Sequence, residues 1–102
     1  MDMRKMMKQA QKMQLELARA QEEIKDFTYT ATAGGGMVSV TAKGDNTIES
    51  VVINPEAVDP EDVEMLQDMI VAAVNQGIAD AQAMASQRMS AVTAGLSGMG
   101  LF

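Results

Sequence analysis

The sequence predicts a single α+β domain whose elements follow the order α-β-β-β-α. Apolar residues recur at helical spacing over the first 26 residues and again from about residue 63 to residue 89. Between these stretches, three short runs alternate apolar and polar residues and are separated by turns rich in glycine, aspartate and asparagine. A period near 3.6 residues indicates a helix and a period of two indicates a strand. A chain of 102 residues suffices for one small domain.

The first helix is predicted from Asp2 to Asp26, a stretch without glycine or proline in which good helix formers dominate. Its apolar residues recur in alternating steps of three and four, which is the spacing of a helix packed along a partner helix. We call this line the seam and expect it to pack within the domain or against a second chain. Its members are Met3, Met6, Ala10, Met13, Leu17, Ala20, Ile24 and Phe27.

Three strands are predicted at residues 27–33, 37–43 and 47–54. The turns between them are short, so the sheet should be an antiparallel meander. The glycines at 34–36 join two strands and therefore suit a hairpin turn, whereas a phosphate-binding loop precedes a helix. The run Val51, Val52 and Ile53 predicts burial on both faces near the end of the third strand.

The second helix is predicted to begin at Asp59 and Pro60, because aspartate is a favoured N-cap and proline suits the first helical position. Its apolar pattern continues to about Met89. Residues 1–94 are therefore assigned to one domain. Residues 95–102 are predicted to form a flexible glycine-rich tail.

The predicted lengths of the elements indicate a homodimer. The first helix would span about 38 Å at 1.5 Å per residue. Three strands of about seven residues form a sheet only about 23 Å long. The two helices must then project beyond the sheet while still carrying apolar residues. Projecting apolar surface requires a partner, and a second copy of the chain is the commonest one.

The charge distribution is strongly asymmetric. The formal net charge is −6, yet six of the eight cations lie within the first 25 residues. We name as the basic stripe the cations that would share one face of the first helix, roughly half a turn from the seam: Lys5, Lys8, Lys12 and Arg19. A helix face that carries several cations is able to contact DNA phosphates. The alternative is a solvated face stabilised by ion pairs such as Lys12–Glu16 and Arg19–Glu23.

Several classes of function are excluded or disfavoured by composition. The chain has no cysteine and no histidine, which removes thiolate chemistry, imidazole catalysis and zinc ligation of the usual kinds. The serines have no histidine to act as a base, so we expect no enzyme, no cofactor and no small-molecule substrate. The acids Glu61, Glu64 and Asp68 suit a helix start better than a metal site. The absence of a long apolar segment or signal sequence predicts a cytoplasmic protein that does not enter the membrane.

Almost the whole chain resembles the YbaB/EbfC family of nucleoid-associated DNA-binding proteins. The resemblance rests on Met-Lys-Gln-Ala-Gln-Lys-Met-Gln at 7–14, Ala-Gly-Gly-Gly-Met-Val at 33–38, Val-Val-Ile-Asn-Pro-Glu at 51–56 and, above all, the 17 residues from 59 to 75. It implies a tweezers-like α-β-β-β-α homodimer that binds DNA and alters its conformation. It also implies roles in nucleoid organisation, gene regulation and DNA protection. One departure is Asp80, at a position where the family commonly has a cation.

Two hypotheses therefore follow from the sequence. In the first, a homodimer binds DNA with little sequence specificity through Arg4, Lys5, Lys8, Lys12 and Arg19. The part of the seam comprising Met3, Met6, Ala10, Met13 and Leu17 then serves dimerisation or packing. In the second, the chain is an adaptor that binds another protein through its basic helix face or its projecting apolar helix ends.

Overall fold

A computed structural model describes residues 2–98 of the chain. The elements confirm the predicted order and the α+β class, with one short 3₁₀ helix added between the sheet and the last helix. They are α1 Met3–Asp26, β1 Thr28–Ala33, β2 Val38–Lys43, β3 Ile48–Ile53, the 3₁₀ helix Pro55–Ala57 and α2 Val63–Gly98.

The ends of α1 are fixed by local hydrogen bonds. The side chain of Asp2 accepts a hydrogen bond of 3.1 Å from the backbone N–H of Arg4, so Asp2 is the N-cap. At the other end Phe27 adopts an extended conformation, and its N–H donates to the carbonyl of Ile24. The chain therefore passes from helix to strand without an intervening loop.

The three strands form an antiparallel sheet in the order β1-β2-β3. The turn between β1 and β2 contains Gly34, Gly35 and Gly36 with φ of 65°, 67° and 93°. Side chains disfavour this left-handed region, so three consecutive glycines allow the chain to reverse here. The glycine run is thus a hairpin turn, as predicted.

The core lies between α2 and one face of the sheet. Val38 and Val40 of β2 are fully buried together with Ala73 of α2. The side chains of β2 alternate between this buried face and a half-exposed face, which is the pattern of a sheet covered on one side. Because the covering residues of α2 are small, the helix approaches the sheet closely at Gly77.

The predicted burial of β3 on both faces is wrong for the single chain. Val51 and Val52 are 43% and 63% exposed. The physical reason is that α2 packs mainly over β1 and β2 and leaves β3 at an uncovered edge of the sheet. Within residues 2–98, no element packs fully over these two side chains.

Helix α2 begins later and ends later than predicted. The side chain of Asp59 accepts from the N–H of Glu61 and caps a turn, whereas Asp62 accepts from Met65 at the start of the helix. The helix continues through Gly95 to Gly98, and Leu96 within this last part is buried. The structure therefore makes residues 95–98 of the predicted tail helical; residues 99–102 lie outside the described residues.

The molecule is elongated, with extents of 72 × 18 × 15 Å. Its radius of gyration is 20.0 Å, whereas a compact domain of this length has about 13 Å. The length arises because α1 pairs with the last turns of α2 and both run out from the sheet. We call this pair, α1 together with residues 85–98 of α2, the arm.

Candidate nucleic-acid interface

The seam of α1 is divided between packing and exposure. Ala20 and Ile24 are buried and Met13 and Leu17 are half-buried where α1 packs on α2. Toward the free end of the arm, Met3 and Met6 are 75% and 50% exposed, and Ala10 is exposed as well. The part of the seam nearest the sheet is thus used within the chain, and the part furthest from it is left uncovered.

The root of the arm is a backbone contact between α1 and the turn after β2. The N–H of Gly44 donates a hydrogen bond of 2.9 Å to the carbonyl of Phe27. A Cβ atom at Gly44 would overlap the carbonyl oxygen of Ile24, so only glycine permits this approach. The direction in which α1 leaves the sheet is set here.

Two side chains near this root, Lys25 and Asp45, have shifted pKa values. The pKa of Lys25 is raised by its hydrogen bond to Glu22 and by the charge of that carboxylate. The pKa of Asp45 is lowered because its carboxylate accepts hydrogen bonds from the hydroxyl and the N–H of Thr47. Both arise from local pairing within one helix or one turn.

The cations of the outer arm are exposed and have no acidic partner among residues 2–98. Within residues 2–98, no carboxylate lies within salt-bridge distance of Arg4, Lys5, Lys8 or Lys12. The ion pairs that do form involve Arg19, Lys25 and Arg88. Arg19 differs, since its guanidinium lies 3.6 Å from Glu16. The structure therefore separates the predicted DNA-contacting residues into four free cations and one that is paired.

The ion pairs suggested by the sequence alternative do not form. Lys12 does not pair with Glu16 in the described chain, and Arg19 pairs with Glu16 rather than with Glu23. Glu23 instead accepts a hydrogen bond of 2.9 Å from Arg88 of α2. The alternative of a fully paired helix face is thereby weakened over the outer half of α1.

The spacing of the free cations suits an extended polyanion. Lys5 and Lys12 are seven residues apart, which is about 10 Å along the helix axis. Phosphates of one DNA strand recur about every 3.4 Å along the duplex. The outer half of the basic stripe therefore matches the length of about three successive phosphates.

Helix α2 offers little to an anion. Arg88, the only cation between residues 63 and 98, is engaged by Glu23. Asp80 is half-buried and accepts a hydrogen bond of 2.8 Å from the side chain of Gln76. The anion-binding potential of the described chain is therefore concentrated on α1.

A shallow groove runs between the two helices of the arm. It has a volume of about 380 Å³ and is lined by Lys12 and Glu16 of α1 and by Val92, Gly95 and Leu96 of α2. Sequence reasoning missed this groove because it placed residue 95 in a tail. Leu96 lines the groove together with Lys12 and Glu16, which lie 80 or more positions earlier in the chain, and no local pattern reports such a meeting.

No site for a metal ion or a membrane emerges from the described residues. Within residues 2–98, acidic side chains do not gather into a group of three or more suited to hold a metal. Neither α1 nor α2, the two long helices there, has the continuous apolar length that crossing a bilayer requires. The candidate site of this chain is thus the cationic surface of the arm.

Comparison with known proteins gives a consistent result at three levels. The model of the YbaB/EbfC DNA-binding family matches residues 1–96. A nucleoid-associated protein of Pelotomaculum thermopropionicum is 57% identical over 99% of this chain and 96% of its own length. One from Acetivibrio thermocellus is 52% identical over 95% of this chain and 87% of its own length.

A solved structure supports the fold. The crystal structure of an uncharacterised protein from Helicobacter pylori superposes with a TM-score of 0.70 at 28% identity, covering 85% of this chain and 91% of that one. The agreement extends across both the helices and the sheet because so much of each chain is covered. With the family model spanning all but the last six residues, the chain belongs to the YbaB/EbfC DNA-binding family.

Proposed function

We propose that this chain binds the phosphate backbone of duplex DNA through the outer half of α1. The observation that carries the proposal is a group of four exposed cations that have no acidic partner in the part of the chain that the structure describes. They lie on the part of the helix that extends furthest from the sheet: Arg4, Lys5, Lys8 and Lys12. Such side chains contact phosphates irrespective of sequence. Binding therefore has little sequence specificity and depends steeply on salt.

The active form is a homodimer. Strand β3 exposes Val51 and Val52, and the first turns of α2 expose Val63, Met65 and Val71 at 50%, 49% and 57%. An uncovered apolar edge strand on a small protein is a surface that a second chain covers. A dimer joined here leaves both arms free and resembles tweezers.

The dimer carries a formal charge of −12, twice the −6 of each chain. Acidic surfaces therefore repel DNA everywhere except at the arms, which restricts the orientation of binding. Two arms that engage one duplex bend or compact it. This accounts for a role in nucleoid organisation, with gene regulation and DNA protection as consequences, in the cytoplasm where the nucleoid lies.

The proposal is tested with a random-sequence duplex at low and moderate salt. Wild type should bind weakly at moderate salt and much more tightly at low salt. The triple change Lys5→Glu, Lys8→Glu and Lys12→Glu should abolish this binding. Binding that is tight and insensitive to salt would contradict the mechanism.

The dimer is tested separately by light scattering coupled to gel filtration. Val52→Lys places a charge on β3 at a side chain that is 63% exposed and should convert the dimer to a monomer. Thr32→Lys, which adds the same charge to an exposed position on β1, is the matched control and should leave the dimer intact. A wild-type chain that is monomeric at micromolar concentration would refute the dimer.

A protein-interaction adaptor is the second candidate. It is favoured by the exposure of Met3 and Met7, 75% and 58%, at the end of the arm, since methionine adapts to varied apolar partners. Retention of DNA binding by the triple lysine variant would move the DNA site elsewhere and favour this candidate.

A further inference from the structure

We infer that Glu23 is a positioning residue whose ion pair with Arg88 fixes the rotation of α1 about its own axis and so aims the basic stripe at DNA. The inference rests on the proposed DNA binding by the arm. It assigns a role to a carboxylate that lies on the line of the stripe and is bonded to α2, and to the one cation of α2 in the described chain.

The contact itself joins two different elements. Nη2 of Arg88 lies 2.9 Å from Oε2 of Glu23, and both side chains are a little under half exposed. Among residues 2–98, the other ion pairs lie within α1, between residues three positions apart. The Glu23–Arg88 pair is thus the one ionic link in the described chain that ties α1 to another element.

Helical geometry connects this pair to the DNA-contacting residues. Glu23 follows Lys5 by 18 residues, which is five turns of about 3.6 residues. It follows Lys12 by 11 residues, which is close to three turns of about 3.6 residues. The three side chains therefore lie on one line along α1, and holding Glu23 against α2 fixes the azimuth of Lys5 and Lys12.

The apolar packing between α1 and α2 holds the two helices together, but hydrophobic contact is not directional. Among the buried side chains of α1 is Ala20, whose single methyl group offers little resistance to rotation of the helix. The larger buried side chains, Ile24 and Leu96, lie near the root and toward the far end of α2. A directional hydrogen-bonded ion pair supplies the rotational restraint that small side chains lack.

The test compares two opposite expectations for the DNA affinity of one variant, the first from net charge alone and the second from the positioning role. Glu23→Gln changes the net charge from −6 to −5, so charge alone predicts tighter DNA binding. If the pair positions the stripe, Glu23→Gln binds DNA about two- to five-fold more weakly, the scale set by an exposed ion pair. Glu22→Gln is the matched control, because it makes the same charge change and breaks a pair confined to α1.

A charge reversal completes the experiment. The double variant Glu23→Arg with Arg88→Glu keeps the net charge and should restore binding to within about two-fold of wild type. If Arg88 contacted phosphate directly, the reversal would not restore binding, and Arg88→Ala would reduce the salt slope by about one. That pair of results would overturn the inference.

A second measurement does not involve DNA. The chain has no cysteine, so spin labels at Gln11→Cys and at Thr32→Cys, an exposed position on β1, report the distance from arm to sheet when diluted with unlabelled chain. Glu23→Gln should broaden or shift this distance, Glu22→Gln should not, and circular dichroism checks that both remain folded. Identical distance distributions and equal DNA affinities for the two variants would refute the positioning role. Failure of wild type to bind DNA, with the distance shift present, would refute the proposed function instead.

Discussion

Removing two cations from the outer arm should lower the salt dependence of DNA binding by a predictable amount. The variant Lys5→Gln with Lys8→Gln removes two of the four free cations of each chain. A dimer with both arms engaged then keeps about four phosphate contacts instead of about eight, so the slope of log K against log salt changes from about −7 to about −3.6.

The expected affinities follow from these slopes. Between 50 and 200 mM salt, wild type should lose about 10⁴-fold in affinity and the variant about 10²-fold. At low salt, the variant should bind far more weakly than wild type. The assay is fluorescence anisotropy with a labelled random duplex over a salt series.

The matched control is Lys25→Gln with Lys43→Gln. It makes the same change in net charge, but Lys25 is paired with Glu22 and Lys43 lies at the end of β2, away from the outer arm. Its slope should remain close to that of wild type. Equal slopes for the two double variants would show that net charge, rather than the arm, governs binding, and would refute the reasoning.

Three further predictions concern single residues. Gly77→Ala should raise the free energy of unfolding by up to about 1 kcal/mol, because alanine favours helix more than glycine does. The added Cβ would lie at an ordinary 3.5 Å from the Cβ of Ala42. Denaturant unfolding measures the free energy, and a less stable variant would contradict the prediction. Gly44→Ala should destabilise the chain by more than about 1 kcal/mol, because the Cβ of the new alanine would overlap the carbonyl oxygen of Ile24. If the variant unfolds at the same temperature as wild type, the root is not rigid. Asp80→Lys should tighten DNA binding because it makes the chain less acidic. Asp68→Lys makes the same change in net charge, so the two variants should bind DNA equally well if net charge alone is responsible.

The elements with strong local signals could be predicted from the sequence. Helix α1 was bounded within one residue because its N-cap, Asp2, and the change to alternating residues after Asp26 are both local. The hairpin at the three glycines followed from turn chemistry. These features depend on neighbours in the chain, which a single sequence displays.

Features that depend on distant residues were missed. Glycines near residue 95 indicate a helix end, but packing of Leu96 against α1 keeps the helix intact to Gly98. The pair Glu23–Arg88 joins residues 65 positions apart, and the sequence instead suggested a local partner for Glu23. Of the candidate site, periodicity gave the basic stripe, whereas which of its cations remain free depended on partners that only the fold reveals.

Because α1 is held beside Gly44 at one end, a small tilt there moves the other end of the helix by a much larger distance. The helix extends about 35 Å from this root to its first residue. A tilt of about 10° at the root moves that end by about 6 Å, nearly two base-pair steps of about 3.4 Å. In the dimer proposed above, the stiffness of this root would be one limit on how wide the gap between two arms opens, and hence on how much curvature of a bound double helix they accommodate.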